Sequence, residues 1–283
     1  MMKRRQFLTS MAVGAAGLGL GLTPQAMAAT GEFESTGIPT NDPELELALL
    51  RTRHFNEHLP GDAYLDPAQF KILESTVRRL ERLQQVVGYG NFYLLDFDEA
   101  IKTANDSPRV GQFPRSELDF MDMIFHETAV TYGFMGKKPL KNLTDRTPRR
   151  KVVKVPFTGN FLFKGHAVEV YRRIRRDIGN QVVLTSGVRS VPKQFLLFLT
   201  KAYEASGNLS LASRSLAPPG YSFHGVGDFD VGQVGFGEAN FTARFVESDV
   251  FKKLRECGYT QMRYPQDNLL GVRFEPWHIK VVT

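Results

Sequence analysis

The chain has 283 residues, 36 Lys+Arg against 30 Asp+Glu for a formal charge of +6, 42% hydrophobic residues and a single cysteine. That length and apolar content suffice for a real core in one large or two small domains, and one cysteine excludes an internal disulfide framework. Three of the basic residues lie in the first five positions, so the remaining balance is too mild to argue for a nucleic-acid partner.

The first 28 residues read as an export signal. Lys3, Arg4 and Arg5 precede a short apolar run from Met11 to Leu22, and Ala26-Met27-Ala28 forms an A-x-A cleavage pattern. The run is shorter than the roughly 20 residues a bilayer span requires. "KRRQFL" and the glycines that follow resemble a twin-arginine signal, with a general secretory signal as the alternative. Cleavage after Ala28 leaves 255 residues and a charge of +3, from 33 Lys+Arg against 30 Asp+Glu. The expectation is export to the periplasm or cell-wall space without a stable membrane anchor. No later run is apolar enough to span, and no cysteine near the cleavage site offers a lipid attachment.

Residues 29–150 read as a mainly helical region that opens with a polar leader. Asp66 caps a helix starting at Pro67, Gln69 completes a capping box and Gly88 stops it, with Phe70, Leu73, Val77, Leu80 and Val87 on one face. A second helix is predicted from a cap at Ser116 to Gly133. It contains His126-Glu127, but Val130 stands where an HExxH zinc motif needs its second histidine, so His126 is read as structural. Composition changes in "DRTPRRKVVKV", which marks a junction near residue 150.

Residues 151–283 form the second region. "HAVEVYRRIRRDIGN" predicts a helix with a solvated arginine face, "QVVLT" a buried strand, and "SGVRSVPKQFLLFLTKAYEASG" a turn followed by a helix. Phe251, Leu254 and Cys257 recur every third residue, which places Cys257 in a buried stripe. "YTQMRYP" and "LLGVRFEPWHIKVV" read as a terminal hairpin. Helices and strands mix without regular alternation, which gives an α+β fold class.

Two segments carry candidate chemistry. "YSFHGVGDFDVG", residues 221–232, sets His224 among glycines just before Asp228 and Asp230, and "FEPWHIK" sets Glu275 three residues before His278. Two histidines and one aspartate make three protein ligands for Zn2+ and leave its fourth position open, the count of a catalytic site. Glu275 is then placed to act as a general base. That requires Pro276 to kink the chain, because residues three apart on a regular strand face opposite ways. On spacing alone, ordinary core or surface histidines remain the alternative.

"SGVRS" at 186–190, Gln194 after it, "SFHGVGDFDVG" from Ser222, "RYP" at 263–265 and "EPWH" from Glu275 follow one another in order. Over about residues 155–283 the chain thereby resembles the VanY-like D-alanyl-D-alanine carboxypeptidases, within the wider group of lysostaphin, D-Ala-D-Ala peptidase and hedgehog-type zinc folds. The resemblance implies a small antiparallel sheet with flanking helices and Zn2+ on His224, Asp230 and His278. It implies Glu275 as base, Arg189 steadying an oxyanion or holding a substrate carboxylate, and Ser222 and Gln194 positioning substrate. The implied substrate is a peptidoglycan stem peptide cut at or near its terminal D-Ala-D-Ala.

The chain also departs from the family pattern. His224 and Asp230 are six positions apart rather than seven, and Val188 stands where a tyrosine is usual. Asp230 is taken as the ligand because "VG" follows it, with Asp228 as the alternative. Trp277 is expected in the core beside the metal. Arg189 also fits a helix cap or an ion pair, Ser222 a plain turn, and Gln194 a structural role. Rival functions are a peptidoglycan endopeptidase, an L,D-cleaving relative and a non-catalytic zinc fold that binds cell wall.

Overall fold

The computed structural model of the protein describes residues 43–282, so the export signal at 1–28 and nearly all of the polar leader lie outside the described residues. The chain enters through helix α1 (Pro43–Arg53) and then forms α2 (Pro67–Val87), the longest helix among the described residues. The Asp66 carboxylate accepts from the backbone N–H groups of Ala68 and Gln69 at 2.8 Å, and the Gln69 side chain accepts from the Asp66 N–H. Both partners of the capping box are therefore satisfied. At the other end Gly88 takes φ 86, which a residue with a Cβ rarely adopts. Leu73, Val77, Leu80 and Leu83 point inward.

The short α3 (Tyr89–Phe92) leads to α4 (Phe97–Asp106), which carries a second capping box between Asp96 and Glu99, and to α5 (Arg115–His126). The helix expected to run from Ser116 to Gly133 is shorter and starts earlier. Pro114 occupies the N-cap, and Glu127 turns extended at ψ 145. A 3-10 turn over Ala129–Tyr132 follows, closed by Gly133 at φ 80. His126 is exposed, 3.5 Å from Asp122, and plays no part in the site below.

A two-stranded antiparallel hairpin, β1 (Val152–Lys154) and β2 (Phe161–Phe163), precedes α6 (His166–Ile178). Arg172, Arg173 and Arg176 are exposed on α6, while Val170, Tyr171, Ile174 and Ile178 face inward. Then come β3 (Val182–Ser186), α7 (Val191–Glu204), α8 (Leu209–Ser215), β4 (Phe229–Gln233), α9 (Asp249–Glu256) and β5 (His278–Ile279). The main sheet is antiparallel with strand order β3-β4-β5. Mixed helices around small antiparallel sheets make the α+β fold.

Two expectations in this half are corrected. The terminal hairpin does not form: its only strand residues are His278 and Ile279, and these pair with β4. Pro265 and Pro276 lack N–H donors, and Gly271 at φ 75 bends the chain between them. The two intended arms meet where the Glu275 N–H donates to the Tyr264 carbonyl at 3.1 Å. Cys257 is exposed rather than buried. The α9 stripe is Val250, Phe251 and Leu254, and the helix ends at Glu256, so Cys257 sits at the C-cap and turns outward.

One core packs α2, α4 and α5 against α7 and α8, with Phe92, Phe125, Phe195 and Phe198 fully buried. A second core lies between the main sheet, α6 and α9, and holds Trp277. Residues on both sides of the compositional junction near 150 thus share the first core. Among the described residues no helix is long and apolar enough to cross a membrane.

Candidate metal centre and active site

The register of the main sheet assembles the site. On the central strand, Asp230 pairs with Ser186 of β3 on one side and with His278 of β5 on the other. His224 arrives from a 3-10 turn, Phe223–Gly225, just ahead of β4. Its ring centroid is 5.0 Å from that of His278. One ligand atom from each of His224, Asp230 and His278 lies within 4.8 Å of the others, and all three residues are buried.

Hydrogen bonds decide which nitrogen of each imidazole faces the cluster. The Nδ1 of His224 is 2.7 Å from the Gly187 carbonyl, which can only accept, so that nitrogen carries a proton. Nε2 is left facing Asp230 at 3.2 Å. For His278 the arrangement is reversed. Nε2 donates to Asp228 Oδ2 at 3.0 Å, and Nδ1 faces Asp230 Oδ1 at 3.1 Å. Two imidazole nitrogens and one carboxylate oxygen are therefore aimed inward, with each remote nitrogen held by an oxygen. Outer partners of this kind orient histidine ligands in metal sites. The donor set fits Zn2+, which takes imidazole and carboxylate ligands and in catalytic sites three of them from protein.

The electrostatics agree with a cation site. Burial works to lower the pKa of His278, but hydrogen bonds and charge from Asp228 and Asp230 overcome it and push the group up to about 9. Burial favours a neutral Asp230, yet His224 and Arg189 hold its carboxyl well below the usual range. His224 is lowered, chiefly by burial and then by Arg189. Glu275 is raised, with burial the largest cause.

Glu275, the base that the resemblance implies, lies next to the cluster. The His278 N–H donates to the Glu275 carbonyl at 3.1 Å, closing a turn through Pro276. This turn replaces the regular strand that would have separated the two side chains. Glu275 Oε2 comes within 3.9 Å of His278 Nδ1, and Oε1 within 4.0 Å of Arg273 Nε. The Arg273 guanidinium lies between the rings of Trp277 and Phe55, 4.9 and 5.2 Å from their centroids. Trp277 itself is buried in the core beside the site, as expected.

Arg189 follows β3 on a tight turn. A Cβ on Gly187 would lie 2.0 Å from the Phe161 carbonyl oxygen, so only glycine lets that turn approach β2. Ser190 caps α7, and its hydroxyl donates to the Phe92 carbonyl at 3.0 Å. The helical region thereby braces the turn. Arg189 donates through Nη2 to Asp230 Oδ2 at 2.6 Å and through Nε to Ser186 Oγ at 2.8 Å. The ion-pair alternative raised for Arg189 is thus present. Its Nη1 makes no hydrogen bond among the described residues, and the residue lines the cavity over the cluster. Ser222, His224, Glu275 and Tyr264 line the same cavity. Gln194 lines it too, but both ends of its amide are engaged: Nε2 donates to the Arg189 carbonyl and Oε1 accepts from the Gly220 N–H.

Asp228 lies outside the ligand cluster and accepts four hydrogen bonds. They come from His278, Arg263 Nε at 2.6 Å, and the N–H groups of Val281 and Val282 at 2.8 and 3.0 Å. From the sequence Asp228 is only a substitute ligand, and Arg263 has no role beyond its "RYP" context. Two acids at i and i+2 on an extended segment share a face, and that spacing was the available signal.

These features define a buried His/Asp/His cluster with a carboxylate beside it, on an α+β fold, a donor set that could hold a divalent metal ion. Residues 166–283 match the family model described as "VanY: D-alanyl-D-alanine carboxypeptidase". That region is VanY-like, in agreement with the motifs read from the sequence. No curated protein matches the chain. Among solved structures, the chain is similar to VanYB in complex with D-alanine-D-alanine, at 25% identity and TM-score 0.38, covering 51% of this chain and 85% of that one. It is similar to the vancomycin resistance D,D-dipeptidase VanXYg in complex with a D-Ala-D-Ala phosphinate analog, at 20% identity and TM-score 0.43, covering 53% and 62%. A third is the LdcB LD-carboxypeptidase, at 20% identity and TM-score 0.38, covering 46% and 63%.

Proposed function

We propose that the protein is an exported, zinc-dependent carboxypeptidase that trims peptidoglycan stem peptides at or near a terminal D-Ala-D-Ala. The observation that carries this reading is the inward aim of three ligand atoms whose remote partners are already in place, with Glu275 beside them. His224 through Nε2, His278 through Nδ1 and Asp230 through Oδ1 would hold the zinc. When bound, such an ion polarises the scissile carbonyl and lowers the pKa of water toward ~7.

The chain's own residues do the rest. Glu275 accepts a proton from the attacking water and passes it to the leaving amine, and its raised pKa moves it toward the working range of a general base. Arg189 steadies Asp230 and offers Nη1 to an oxygen that gains charge during attack. Ser222, whose hydroxyl has no hydrogen bond among the described residues, faces the same cavity and is available to a substrate polar group. Gln194 acts by fixing Gly220 and the Arg189 carbonyl. Export rests on the twin-arginine-like N-terminus and matches a substrate outside the cytoplasmic membrane.

The test combines metal analysis of the purified protein with mass spectrometry of a D-Ala-D-Ala-terminated pentapeptide after incubation. The expected result is about one zinc per chain and loss of one D-alanine. Loss of a larger fragment, or cleavage of cross-linked dimers alone, would establish an endopeptidase, and attack on the tetrapeptide an L,D-specificity. Glu275→Ala should retain zinc and lower turnover by about 10²–10⁴-fold, the usual contribution of a positioned base. Retained zinc with unchanged hydrolysis would remove Glu275 from that role.

A further inference from the structure

The β1–β2 hairpin lies outside the catalytic cavity and has two properties that packing does not explain. Phe157, in its turn, is 96% exposed and holds φ at 64, a left-handed conformation unusual for a bulky residue. Pro156 beside it is exposed, and so is Val153 on β1. Such outliers persist where the surroundings hold them and often mark a working segment. The surroundings here are firm. The Val155 N–H donates to the Asn160 carbonyl at 2.9 Å, and Asn160 Nδ2 reaches the Thr185 carbonyl of β3 at 3.3 Å.

The second property is charge. Residues 146–168 contain Arg146, Arg149, Arg150, Lys151, Lys154 and Lys164 and no acid, so the rest of the chain is balanced at 30 Lys+Arg against 30 Asp+Glu. All six are exposed, and none forms an ion pair among the described residues. A fully exposed aromatic in the turn of a hairpin whose strands and flanks carry exposed, unpaired cations is the pattern of a segment that rests on an anionic bilayer. The apolar tip enters the headgroup boundary and the cations meet lipid phosphates. A soluble polyanion would use the cations but gain little from Phe157.

We propose that this hairpin is a docking surface for an anionic lipid membrane, with Phe157 as its inserting residue. The first residue of β2, at the turn end of the hairpin, touches the active-site turn, since the Val188 N–H donates to the Phe161 carbonyl at 2.8 Å. Docking would therefore set the catalytic cavity at a fixed place relative to the lipid surface. The proposal does not depend on which peptide is cut.

The test is co-sedimentation of the full chain with vesicles of phosphatidylcholine alone or mixed with phosphatidylglycerol, at low and high salt. Any contribution from residues 1–28 is common to wild type and variants, so the comparison isolates the hairpin. Wild type should pellet with the anionic vesicles and be released by salt. Phe157→Ala should weaken binding about tenfold, as expected for losing one buried aromatic. Lys151→Glu with Lys154→Glu should weaken it by at least about tenfold. Both variants should keep the wild-type thermal midpoint, which excludes misfolding. In Phe157→Trp, emission from position 157 should shift to the blue on anionic vesicles. Wild-type binding by the variants, equal binding to neutral vesicles, or no emission shift would overturn the proposal. So would undiminished binding of Phe157→Ala to vesicles and to soluble polyphosphate alike, which would assign the patch to polymeric anions.

Discussion

Asp228 and Asp230 are two positions apart and reach the same imidazole from opposite sides, one at each nitrogen of His278. Only the second shares the ligand cluster with His224. Asp228 instead fixes which nitrogen of His278 is free, and Asp228→Asn leaves the size unchanged while removing the anion. Zinc affinity, read by competition with a chelator, should fall about 10–100-fold, as for other outer carboxylates on histidine ligands. Undiminished affinity would mean that backbone packing alone orients His278. Much of this site was legible because its chemistry rests on rare residue types: six histidines in 283 residues leave few pairings to consider. The division of labour between the two aspartates was not legible. It depends on the register of β4 against β5 and on where Arg263 arrives.

Elements with local signals follow the sequence closely. For α2 the cap, the box, the apolar stripe and the terminal glycine all act within a few residues of one another, and its bounds come out as read. The end of α5, the exposure of Cys257 and the missing hairpin depend on distant neighbours. The segment carrying Glu275 shows how. It is docked onto the turn after α5, with the Met135 N–H donating to the Leu270 carbonyl at 2.9 Å. A Cβ on Gly271 would meet the Gly133 carbonyl oxygen at 1.9 Å, at a φ of 75. Gly271→Ala should therefore destabilise by about 1–3 kcal/mol through backbone strain, measured by urea unfolding. It should also displace Glu275 and reduce hydrolysis more than zinc content. Full stability in this variant would show that the two loops are free to separate.

At the scale of the molecule, α7 connects the parts. Val191, Phe195, Leu196, Phe198 and Leu199 pack into the core built by α2, α4 and α5, and each large side chain contributes on the order of 1.5–3 kcal/mol by leaving water. A fragment of residues 151–283 alone should consequently be unfolded or aggregated by circular dichroism and light scattering. A soluble, cooperatively unfolding fragment would show that the second core suffices. A buried ion pair links the same parts: Arg214 of α8 grips Asp62 at 2.6 and 2.9 Å. Burial opposes ionisation of Asp62, but Arg214 and Asn208 hold its pKa at about 2 against an ordinary 3.8. A depressed carboxyl stabilises the fold above its unfolded pKa, and that contribution fades as pH falls through the folded value. Asp62→Ala should cost about 3–5 kcal/mol near neutrality, because it strands a buried guanidinium. Its deficit against wild type should shrink between about pH 4 and pH 2. A gap that stays constant across that window would assign the cost to packing alone.

The inventory was readable along the chain: the candidate ligand residue types, the candidate base three positions before one of them, the capped helices and the α+β class, all set by side-chain chemistry and by periodicities of a few residues. Which oxygens face which nitrogens, that the helical region and the VanY-like region share a core, and that the basic β1–β2 hairpin exposes an aromatic in its turn follow from tertiary packing alone. Those outcomes depend on strand register, close backbone approach and burial between segments tens to hundreds of residues apart, and no local pattern encodes such distances.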